Sequence, residues 1–416
     1  MKQSRLFSKT RKEAPKDEVS KNAQLLIRAG FVHKEMAGVY TFLPLGLRVL
    51  EKIKQIIREE LNKVGGQEMK MTALQTKDVW EKTDRWREDL DDGIWFRTHL
   101  NNETELGLAF THEEALTNIM ANFVSSYKDL PIYAYQFQTK FRNELRAKSG
   151  LLRGREFLMK DLYDFSLDEK QHKEFYERMK DVYKKIFNRL GIGDRTFLTI
   201  SNGGTFSKYS FEFQTVCDAG EDILVLDEEK GVAINKDDFN DEVCKDFNIK
   251  KEDYNFVEKK SAEVGDIYNL GEKYAKAIGL TYKDKDGKDK PVFMGSYGMG
   301  VPRIMAVITE LFSDENGIIW PEAVAPYKVH LISINKNEEA EKIYRELEQS
   351  GIEVLFDDRE DVAPGEKFAD ADLIGCPYRL VVSAKTLKED SVEIKRRDSD
   401  KTKLIEIGKL IKNLNN

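Results

Sequence analysis

The chain has 416 residues, of which 40% are hydrophobic and 34% are charged, and its formal net charge is −7. This composition is typical of a globular protein of two or three domains and counts against a small basic protein that coats DNA. There is no apolar run near the roughly 20 residues that span a membrane, no secretory signal, and no CxxC pair among the three cysteines, so we expect a cytoplasmic protein without a disulfide framework or structural zinc.

The first half of the chain predicts one long helix and several strands. Residues 46–64 place apolar side chains on one helical stripe. A strand-like piece covers 67–75, and the alternating, aromatic-rich stretch 130–144 predicts a longer strand. Arg142 and Glu144, two residues apart, are expected on the same face of that strand.

A second amphipathic helix is predicted after residue 166. Ser166 and Glu169 have the pattern of a capping box, apolar residues then recur at helical spacing, and Gly191 ends the helix. The charged, weakly patterned residues 223–262 predict a small peripheral module or a long connection.

A glycine-rich segment, MGSYGMGVPR at 294–303, follows a strand and opens a helix. Its spacing matches neither the Walker A loop nor the Rossmann fingerprint. A tight strand-to-helix turn packed against its own helix explains the glycines equally well. Arg303, on the first turn of the next helix, favours a ligand, because it adds a cation for phosphate where glycines let the backbone approach a flat group.

The last part of the chain has a different pattern. Residues 320–327 look like a domain boundary, and beyond them strands and helices alternate in short β-α-β units over about 90 residues. The predicted fold class is therefore mixed α/β (α+β).

A basic stretch at 140–160 is interpreted most simply as a solvated basic face, with a nucleic-acid contact as the alternative. Its cations are Lys140, Arg142, Arg146, Lys148, Arg153, Arg155 and Lys160.

The same stretch contains the parts of an ATP site that needs no P-loop. Arg142 can clamp a phosphate or a carboxylate with two hydrogen bonds. Glu144 can accept from an adenine amino group, and Phe157 offers a surface on which a base stacks. Together with Arg303, these residue types predict an ATP site.

The motifs resemble those of a known family. Segment 141–157, with FRNE and RGREF, resembles motif 2 of class II aminoacyl-tRNA synthetases, and GSYGMGVPR at 295–303 resembles motif 3. THEE at 111–114 and SFEF at 210–213 are similar to prolyl-tRNA synthetases in the same order, and the tail at 357–383 resembles a class IIa anticodon-binding domain. The resemblance covers nearly the whole chain.

This resemblance implies an antiparallel-sheet catalytic domain flanked by helices, followed by an α/β anticodon-binding domain. The implied boundaries are 1–222 for the first part of the catalytic domain, 223–262 for a short remnant or linker in place of an editing insertion, 263–322 for the second part of the catalytic domain, and 323–416 for the anticodon-binding domain.

The family reaction implies that ATP and proline give prolyl-adenylate, with Mg²⁺ assisting at the phosphates, and that the prolyl group then passes to the 3′ end of tRNA(Pro). It also implies a cytoplasmic homodimer with no DNA or membrane partner. The chemistry is positioning and charge neutralisation, so no side chain is expected to act as a nucleophile, and His112 in the THEE loop is expected to be structural.

Site residues are implied motif by motif. Catalysis and ATP binding are assigned to Arg142, Glu144, Arg153, Phe157, Gln214, Gly298, Gly300 and Arg303, with Arg142 and Arg303 as the catalytic pair. Proline binding is assigned to Thr111, Glu113, Arg142 and Phe211, and tRNA binding to Arg146, Arg359, Glu366 and Lys367.

The chain also departs from the family pattern. Thr72 stands where motif 1 usually ends in proline, Phe211 replaces a histidine, and Asp266 replaces a histidine or asparagine. Only 223–262 occupies the place of the large bacterial editing insertion, so we expect mischarged alanyl-tRNA not to be cleared in cis.

Two alternatives stay open. One is a synthetase-like protein that binds tRNA but has lost catalysis, which the retained motif arginines disfavour. The other is a class IIa enzyme for another amino acid; for threonine, the missing zinc-binding Cys/His set argues against it.

Overall fold

The structure is a computed structural model that describes residues 1–87, 93–147, 149–204 and 208–415. The chain forms two units. One consists of Met1–Glu35, Tyr40–Ile53 and Ile308–Asn416, and the other of Met36–Val39 and Lys54–Val307. The boundaries expected from the sequence stay a prediction.

Within the described residues, the helices and strands alternate irregularly along the chain. The helices are α1 (Lys21–Arg28), α2 (Pro44–Lys63), α3 (Lys77–Glu81), α4 (Glu113–Met120), α5 (Glu169–Arg189), α6 (Asp241–Asp246), α7 (Lys273–Ile278), α8 (Val301–Leu311), α9 (Asn337–Gln349), α10 (Pro364–Ile374), α11 (Ala384–Leu387) and α12 (Leu410–Asn415). The strands are β1 (Val32–Met36), β2 (Val39–Phe42), β3 (Gln67–Glu68), β4 (Leu74–Thr76), β5 (Phe96–His99), β6 (Glu105–Leu108), β7 (Ile132–Phe141), β8 (Glu156–Ser166), β9 (Thr196–Asn202), β10 (Tyr209–Val216), β11 (Asp222–Asp227), β12 (Val232–Asn235), β13 (Val257–Gly271), β14 (Thr281–Lys283), β15 (Asp289–Pro291), β16 (Phe293–Gly300), β17 (Val329–Ile334), β18 (Val354–Asp357), β19 (Tyr378–Ser383), β20 (Ser391–Arg396) and β21 (Thr402–Glu406).

The second unit is built on a nine-stranded sheet with the order β10-β9-β12-β11-β13-β16-β8-β7-β3. Its central strands β13, β16, β8 and β7 are antiparallel neighbours. Side chains alternate between the two faces of such strands, so each strand supplies one row of residues to either face. This confirms the expected antiparallel catalytic sheet.

Helix α5 covers one face of the central strands. Its buried stripe includes Phe175, Met179 and Ile186, as the apolar spacing predicts. The predicted capping box is wrong. Asp168 caps the helix by accepting from the backbone N–H of Gln171 at 2.9 Å, whereas Ser166 belongs to β8.

Residues 223–262 form part of the main sheet. Strand β11 pairs with β12 and β13, and β12 also pairs with β9. Ile234 of β12 and Val243 of α6 lie in one buried cluster with Ile200 of β9. This short segment therefore extends the catalytic sheet by two strands.

The C-terminal part of the first unit contains a five-stranded sheet with the order β18-β17-β19-β20-β21. The first three strands are parallel and the last two are antiparallel. Helices α9 and α12 contribute apolar residues to the core on this sheet. The sheet confirms the predicted α/β fold of the C-terminal part of the chain.

A bidentate ion pair stabilises the first unit. Arg397 follows β20, and its Nη1 donates to Asp314 Oδ2 at 2.7 Å, while its Nε donates to the carbonyl oxygen of Asp372 at 2.9 Å. The adjacent guanidinium lowers the pKa of Asp314 to about 2. The carboxylate is therefore stabilised in the folded state, and this contribution is lost as the pH falls through that pKa.

We expect Asp314→Asn to lower the free energy of unfolding at pH 7 by about 1–2 kcal/mol, since a shift of roughly two units sets an upper bound near 2.7 kcal/mol and partial exposure screens it. The loss should persist above pH 4 and shrink between pH 4 and pH 2, which thermal unfolding across that range would measure. Asp400→Asn, at a fully exposed carboxylate, is the control. Equal losses in both variants would contradict the assignment.

Candidate functional site

Two adjoining cavities lie on the face of the central sheet opposite α5. Both are lined by Arg142, Met159, Glu263, Asp266 and Gly298. The first cavity adds, among others, Glu144, Arg153, Phe157, Gly300 and Arg303. The second adds, among others, Thr111, Glu113, Asp161, Tyr163 and Ser296. The structure thus brings most of the predicted catalytic residues together.

Arg142 and Glu144 lie just beyond the end of β7, so their expected position within a strand is wrong. The backbone bends here, and the N–H of Glu144 donates to the carbonyl oxygen of Arg142 at 2.7 Å. Arg155 holds this turn by donating from Nε and Nη2 to the carbonyl oxygen of Glu144. The Arg142 guanidinium carbon lies 5.3 Å from the centre of the Phe157 ring. Arg142 and Phe157 thus lie side by side in the wall of the first cavity.

The glycines of β16 divide between the two faces of the sheet. Gly298 and Gly300 line the first cavity. Gly295 faces the other way, and a Cβ there would lie 2.4 Å from Asp164 Oδ1. Gly295 and Gly298 are thus both required by packing, since a Cβ at Gly298 would lie 2.5 Å from Asp266 Oδ1, whereas Gly300 has more room.

Arg303 is fixed at the rim of the first cavity. Its Nε donates to the carbonyl oxygen of Leu152 at 2.8 Å, and its Nη1 donates to Glu263, to both the carbonyl oxygen (2.8 Å) and Oε2 (3.1 Å). This arrangement sets the orientation of the guanidinium before a ligand binds. It can therefore present positive charge without a large loss of side-chain entropy.

The second cavity contains a carboxylate held by hydroxyl groups. Thr111 Oγ1 donates to Glu113 Oε2 at 2.6 Å, and the Tyr163 hydroxyl donates to Glu113 Oε1 at 3.3 Å. Arg85 Nη1 lies 3.5 Å from Glu113 and 3.0 Å from Glu114. Burial raises the pKa of Glu114 to about 7 despite this arginine. A cationic amine would find a fixed acceptor at Glu113.

A buried polar network lies behind this cavity. Lys140 Nζ donates to Asp161 Oδ2 at 2.8 Å and also to His112 Nδ1. His112 Nε2 donates to the carbonyl oxygen of Thr72 at 3.0 Å. Burial and the Lys140 ammonium lower the pKa of His112 to about 4. The imidazole is thus neutral, and both of its ring nitrogens are hydrogen-bonded. This arrangement fits the structural role expected of His112.

The interpretation of 140–160 as one solvated basic face is wrong for two of its lysines. Lys140 and Lys160 are fully buried, on opposite faces of the sheet. Burial lowers the pKa of Lys160 to about 7. Arg146 and Arg153, by contrast, are exposed, so the basic surface is confined to the loop between β7 and β8. Lys148 lies outside the described residues.

Asp266 separates the two cavities at the wall they share. Its Oδ1 accepts from the backbone N–H of Gly298 at 2.9 Å. Burial and the neighbouring Glu263 raise the pKa of Asp266 to about 7. The carboxyl group that departs from the family pattern is therefore part of the site.

Comparison with known proteins identifies this arrangement. The family model described as tRNA synthetase class II core domain (G, H, P, S and T) matches residues 96–312, and the anticodon binding domain model matches residues 328–416. A proline--tRNA ligase of Rickettsia canadensis is 36% identical over 425 aligned residues, which cover 98% of this chain and 96% of the relative. The chain belongs to the proline--tRNA ligase family of class II aminoacyl-tRNA synthetases.

Two further comparisons concern the length and the fold of the chain. A proline--tRNA ligase of Bacillus cytotoxicus is 32% identical, covering 99% of this chain and 98% of the relative. That alignment extends over 562 positions although this chain has 416 residues, which fits the expected absence of an editing insertion. The crystal structure of prolyl-tRNA synthetase from Cryptosporidium parvum complexed with L-proline and AMP has a TM-score of 0.75 at 17% identity, covering 95% of this chain and 74% of that one.

Two residues assigned from the proline--tRNA ligase pattern do not line the cavities among the described residues. The Phe211 ring packs on Tyr176 and Phe247, and the Lys180 ammonium lies 3.9 Å from its centre. Gln214 is fully buried, and its Nε2 donates to Glu212 at 3.0 Å and to Asp222 at 2.8 Å.

The residues assigned to anticodon binding differ in exposure. Glu366 is exposed at the start of α10. Arg359 is partly exposed, and its Nη2 donates to Asp357 at 2.6 Å and to Asp370 at 2.8 Å. Lys367 is buried and donates to the carbonyl oxygen of Ser333 at 2.8 Å. Its ammonium group supports the local fold and is not presented at the surface.

Sequence reasoning missed Asp161, Tyr163, Glu263 and Arg85. The alternation of β8 was the available signal for the first two. Phe157, assigned to the site, shares a strand face with every second residue after it, which includes Asp161 and Tyr163. Glu263 and Arg85 come from segments distant in sequence, and no local pattern marks them.

The close approach of Gly298 to Asp266 gives a test of the cavity wall. A Cβ at residue 298 would lie 2.5 Å from Asp266 Oδ1, whereas one at Gly300 would come no nearer than 3.3 Å to Arg303 Cβ. We expect Gly298→Ala to displace the carboxyl group and lower the melting temperature by several degrees, and Gly300→Ala to lower it much less. Differential scanning calorimetry of both variants would check this, and equal shifts would contradict it.

Proposed function

We propose that this chain activates proline with ATP and transfers the prolyl group to the 3′ end of tRNA(Pro). The observation that carries this proposal is the pair of adjoining cavities with Arg142 in their common wall. One cavity offers a fixed carboxylate for an amine, and the other offers arginines and glycines for a nucleotide. Joining an amino acid to a nucleotide requires such a junction.

In the second cavity, Thr111 and Glu113 bind the secondary ammonium group of proline. The carboxylate accepts its N–H groups, since charge-assisted hydrogen bonds are the stronger kind. The Thr111 and Tyr163 hydroxyls and Arg85 hold Glu113 in place. The substrate carboxylate then extends towards Arg142. Phe211, which the sequence assigned to this pocket, acts only through the packing behind it.

In the first cavity, Phe157 stacks on adenine while Glu144 accepts from the adenine amino group. Gly298 and Gly300 let the nucleotide approach the strand, and Arg303 contacts the γ-phosphate or the adenine face. Arg153 Nε lies 2.7 Å from Glu221 Oε2. When ATP binds, Arg153 exchanges this ion pair for a contact with the triphosphate. Gln214 contributes indirectly, by holding the carboxyl groups of Glu212 and Asp222.

The adenylation step needs no side-chain nucleophile. A carboxylate oxygen of proline attacks the α-phosphorus, a new P–O bond forms, and pyrophosphate leaves with the electrons of the broken P–O bond. Arg142 neutralises the charge that develops on the α-phosphoryl oxygens, and Arg303 stabilises the leaving pyrophosphate. Because these guanidinium groups are held before the substrates bind, stabilisation comes from preorganisation and from proximity.

A magnesium ion fits the acidic side of this site. The described residues contain no group of three or more His, Cys, Asp or Glu side chains arranged around a metal. One or two carboxylates together with substrate phosphates are the usual ligands of Mg²⁺, and Glu221, Asp222 and Glu263 line a smaller cavity beside Arg303. Bound there, the ion would screen the negative charge of the phosphates.

The remaining expectations concern partners and location. We propose that Arg146 contacts the acceptor end of tRNA, and that Arg359 and Glu366 read the anticodon. Lys367 supports the fold beside them through its hydrogen bond to the Ser333 carbonyl oxygen. A homodimer in the cytoplasm is also proposed. The three cysteines are buried and are not joined to one another by disulfides, in keeping with a reducing compartment. Among the described helices there is none with the length and apolarity to cross a membrane.

The decisive experiment is amino-acid-dependent ATP–pyrophosphate exchange with each of the twenty amino acids and no tRNA. We expect the strongest exchange with proline and weaker exchange with alanine, because a pocket that admits proline cannot strongly exclude a smaller side chain. Stronger exchange with another amino acid would overturn the specificity. Folded protein that binds tRNA but catalyses no exchange would establish the inactive tRNA-binding alternative.

Arg142→Ala should lower kcat/KM for proline-dependent exchange by about 10²–10³-fold, since removal of one transition-state donor has costs of this size. Arg142→Lys should recover only part of the loss, because it keeps the charge without the two-pronged geometry. Arg195→Ala, at an exposed arginine outside the cavities, is the control. Near-normal exchange in Arg142→Ala would refute the role of this residue.

A further inference from the structure

A buried ammonium group lies behind the cavity wall, on the face of the sheet covered by α5. Lys160 of β8 is fully buried, and its Nζ donates to the Tyr183 hydroxyl at 2.6 Å and to the carbonyl oxygen of Tyr297 at 2.9 Å. No carboxylate lies within ion-pair distance of it in the described part of the chain. An amine buried without a neighbouring carboxylate is costly to keep charged, in line with its pKa lowered by burial, so its place in the core calls for a reason.

The Tyr183 hydroxyl links Lys160 to β16, the strand that contains the glycines. Tyr183 belongs to α5 and is fully buried, and its hydroxyl donates to the carbonyl oxygen of Gly298 at 3.0 Å. The carbonyl oxygen of Tyr297 thus accepts from Lys160, and that of Gly298 accepts from the Tyr183 hydroxyl, which Lys160 also contacts. Two consecutive peptide groups of β16 are fixed at the point where the strand borders both cavities.

The opposite side of Gly298 is also constrained. Its N–H donates to Asp266 Oδ1, so both of its backbone polar groups are bonded to side chains. Gly265, next to Asp266, makes room for the phenol, since a Cβ there would lie 2.9 Å from Tyr183 Cε1. Pairing with β13 and β8 and the buried side chains of Met294 and Tyr297 hold β16 as a whole. Gly298 itself has no side chain, so these hydrogen bonds from Lys160, Tyr183 and Asp266, here called the clamp, add the restraint on its peptide group.

We propose that Lys160 and Tyr183 are positioning residues that set the location of the Gly298 peptide for nucleotide binding. Neither residue contacts the substrates. The inference rests on the proposed function, because it takes the first cavity as the ATP site. Without the clamp, the Gly298 peptide gains freedom that ATP binding must remove, so the affinity for ATP falls. Gly298 also borders the amino-acid cavity, but Thr111 and Tyr163 hold the Glu113 carboxylate there independently of β16, so proline binding is less affected.

The chain offers a matched control for general damage to the contact between α5 and the sheet. Tyr176 is also a buried tyrosine of α5, and its hydroxyl donates to the carbonyl oxygen of Ile267 in β13 at 3.1 Å. Tyr176→Phe therefore removes one buried hydrogen bond of the same kind, from the same helix, to the strand next to β16. It leaves the Gly298 peptide untouched.

The experiment compares Tyr183→Phe, Lys160→Met, the double variant and Tyr176→Phe. We expect the first three to raise KM for ATP in the exchange reaction about tenfold, with KM for proline changed less than threefold. The effects of the two single changes should not add in the double variant, since both residues act through one chain of hydrogen bonds. Tyr176→Phe should lower the melting temperature to a similar extent but leave KM for ATP unchanged.

Calorimetric titration with a nonhydrolysable ATP analogue, without amino acid, measures the same effect independently of adenylation. Weaker binding in Tyr183→Phe than in Tyr176→Phe supports the clamp even if the exchange reaction selects an amino acid other than proline. Equal affinity in these two variants, or equal changes in KM for ATP and proline, overturns it. If Lys160→Met does not fold, Tyr183→Phe alone decides, because it removes only a hydroxyl group.

Discussion

The buried ion pair between Lys140 and Asp161 is the interaction on which the active-site region depends. It joins the end of β7 to β8 and reaches the start of α4 through His112. Gln136 adds to it by donating to Asp161 Oδ2 at 3.0 Å. Both of these donors reach Asp161 Oδ2, whereas the buried Oδ1 has no hydrogen-bond partner in the described residues. The pair therefore fixes the positions of the segments it joins and is not by itself evidence of a net gain in stability. Because Glu113 directly follows His112, the same network determines the position of the Glu113 carboxylate in the second cavity.

The electrostatics of the nucleotide cavity follow from burial as much as from charge. Several carboxyl groups lie in or near the cavity that is proposed to bind the triphosphate. Burial, together with repulsion from Glu263, raises the pKa values of Glu212 and Asp266 to about 7 and also raises that of Asp222. Near neutral pH Asp266, which lines this cavity, is therefore partly protonated, so the cavity is less negative than its composition suggests. The guanidinium groups at its rim then dominate the field that an anionic ligand meets.

Two residues that the proline--tRNA ligase pattern placed in the pockets lie elsewhere in the structure. Phe211 and Gln214 were expected in the pockets because of their place in a motif. In the structure, Phe211 faces the apolar cluster formed with α6 and its neighbours, and Gln214 lies among buried carboxylates. A bulge in the pairing of β10 with β13 lies between Phe213 and Gln214, and such irregularities change which side of a strand a residue faces.

The sequence by itself determined the fold class, the helices at 46–64 and after 166, and the motif residues Arg142, Phe157 and Arg303. These are properties of local periodicity and of residue chemistry, which a linear pattern records. The tertiary structure alone decided that Lys140 and Lys160 are buried on opposite faces, and that Glu263 and Asp266 meet the glycine strand. Burial and facing depend on which segments pair across the sheet, and the free energy of that pairing is shared among residues far apart in the chain.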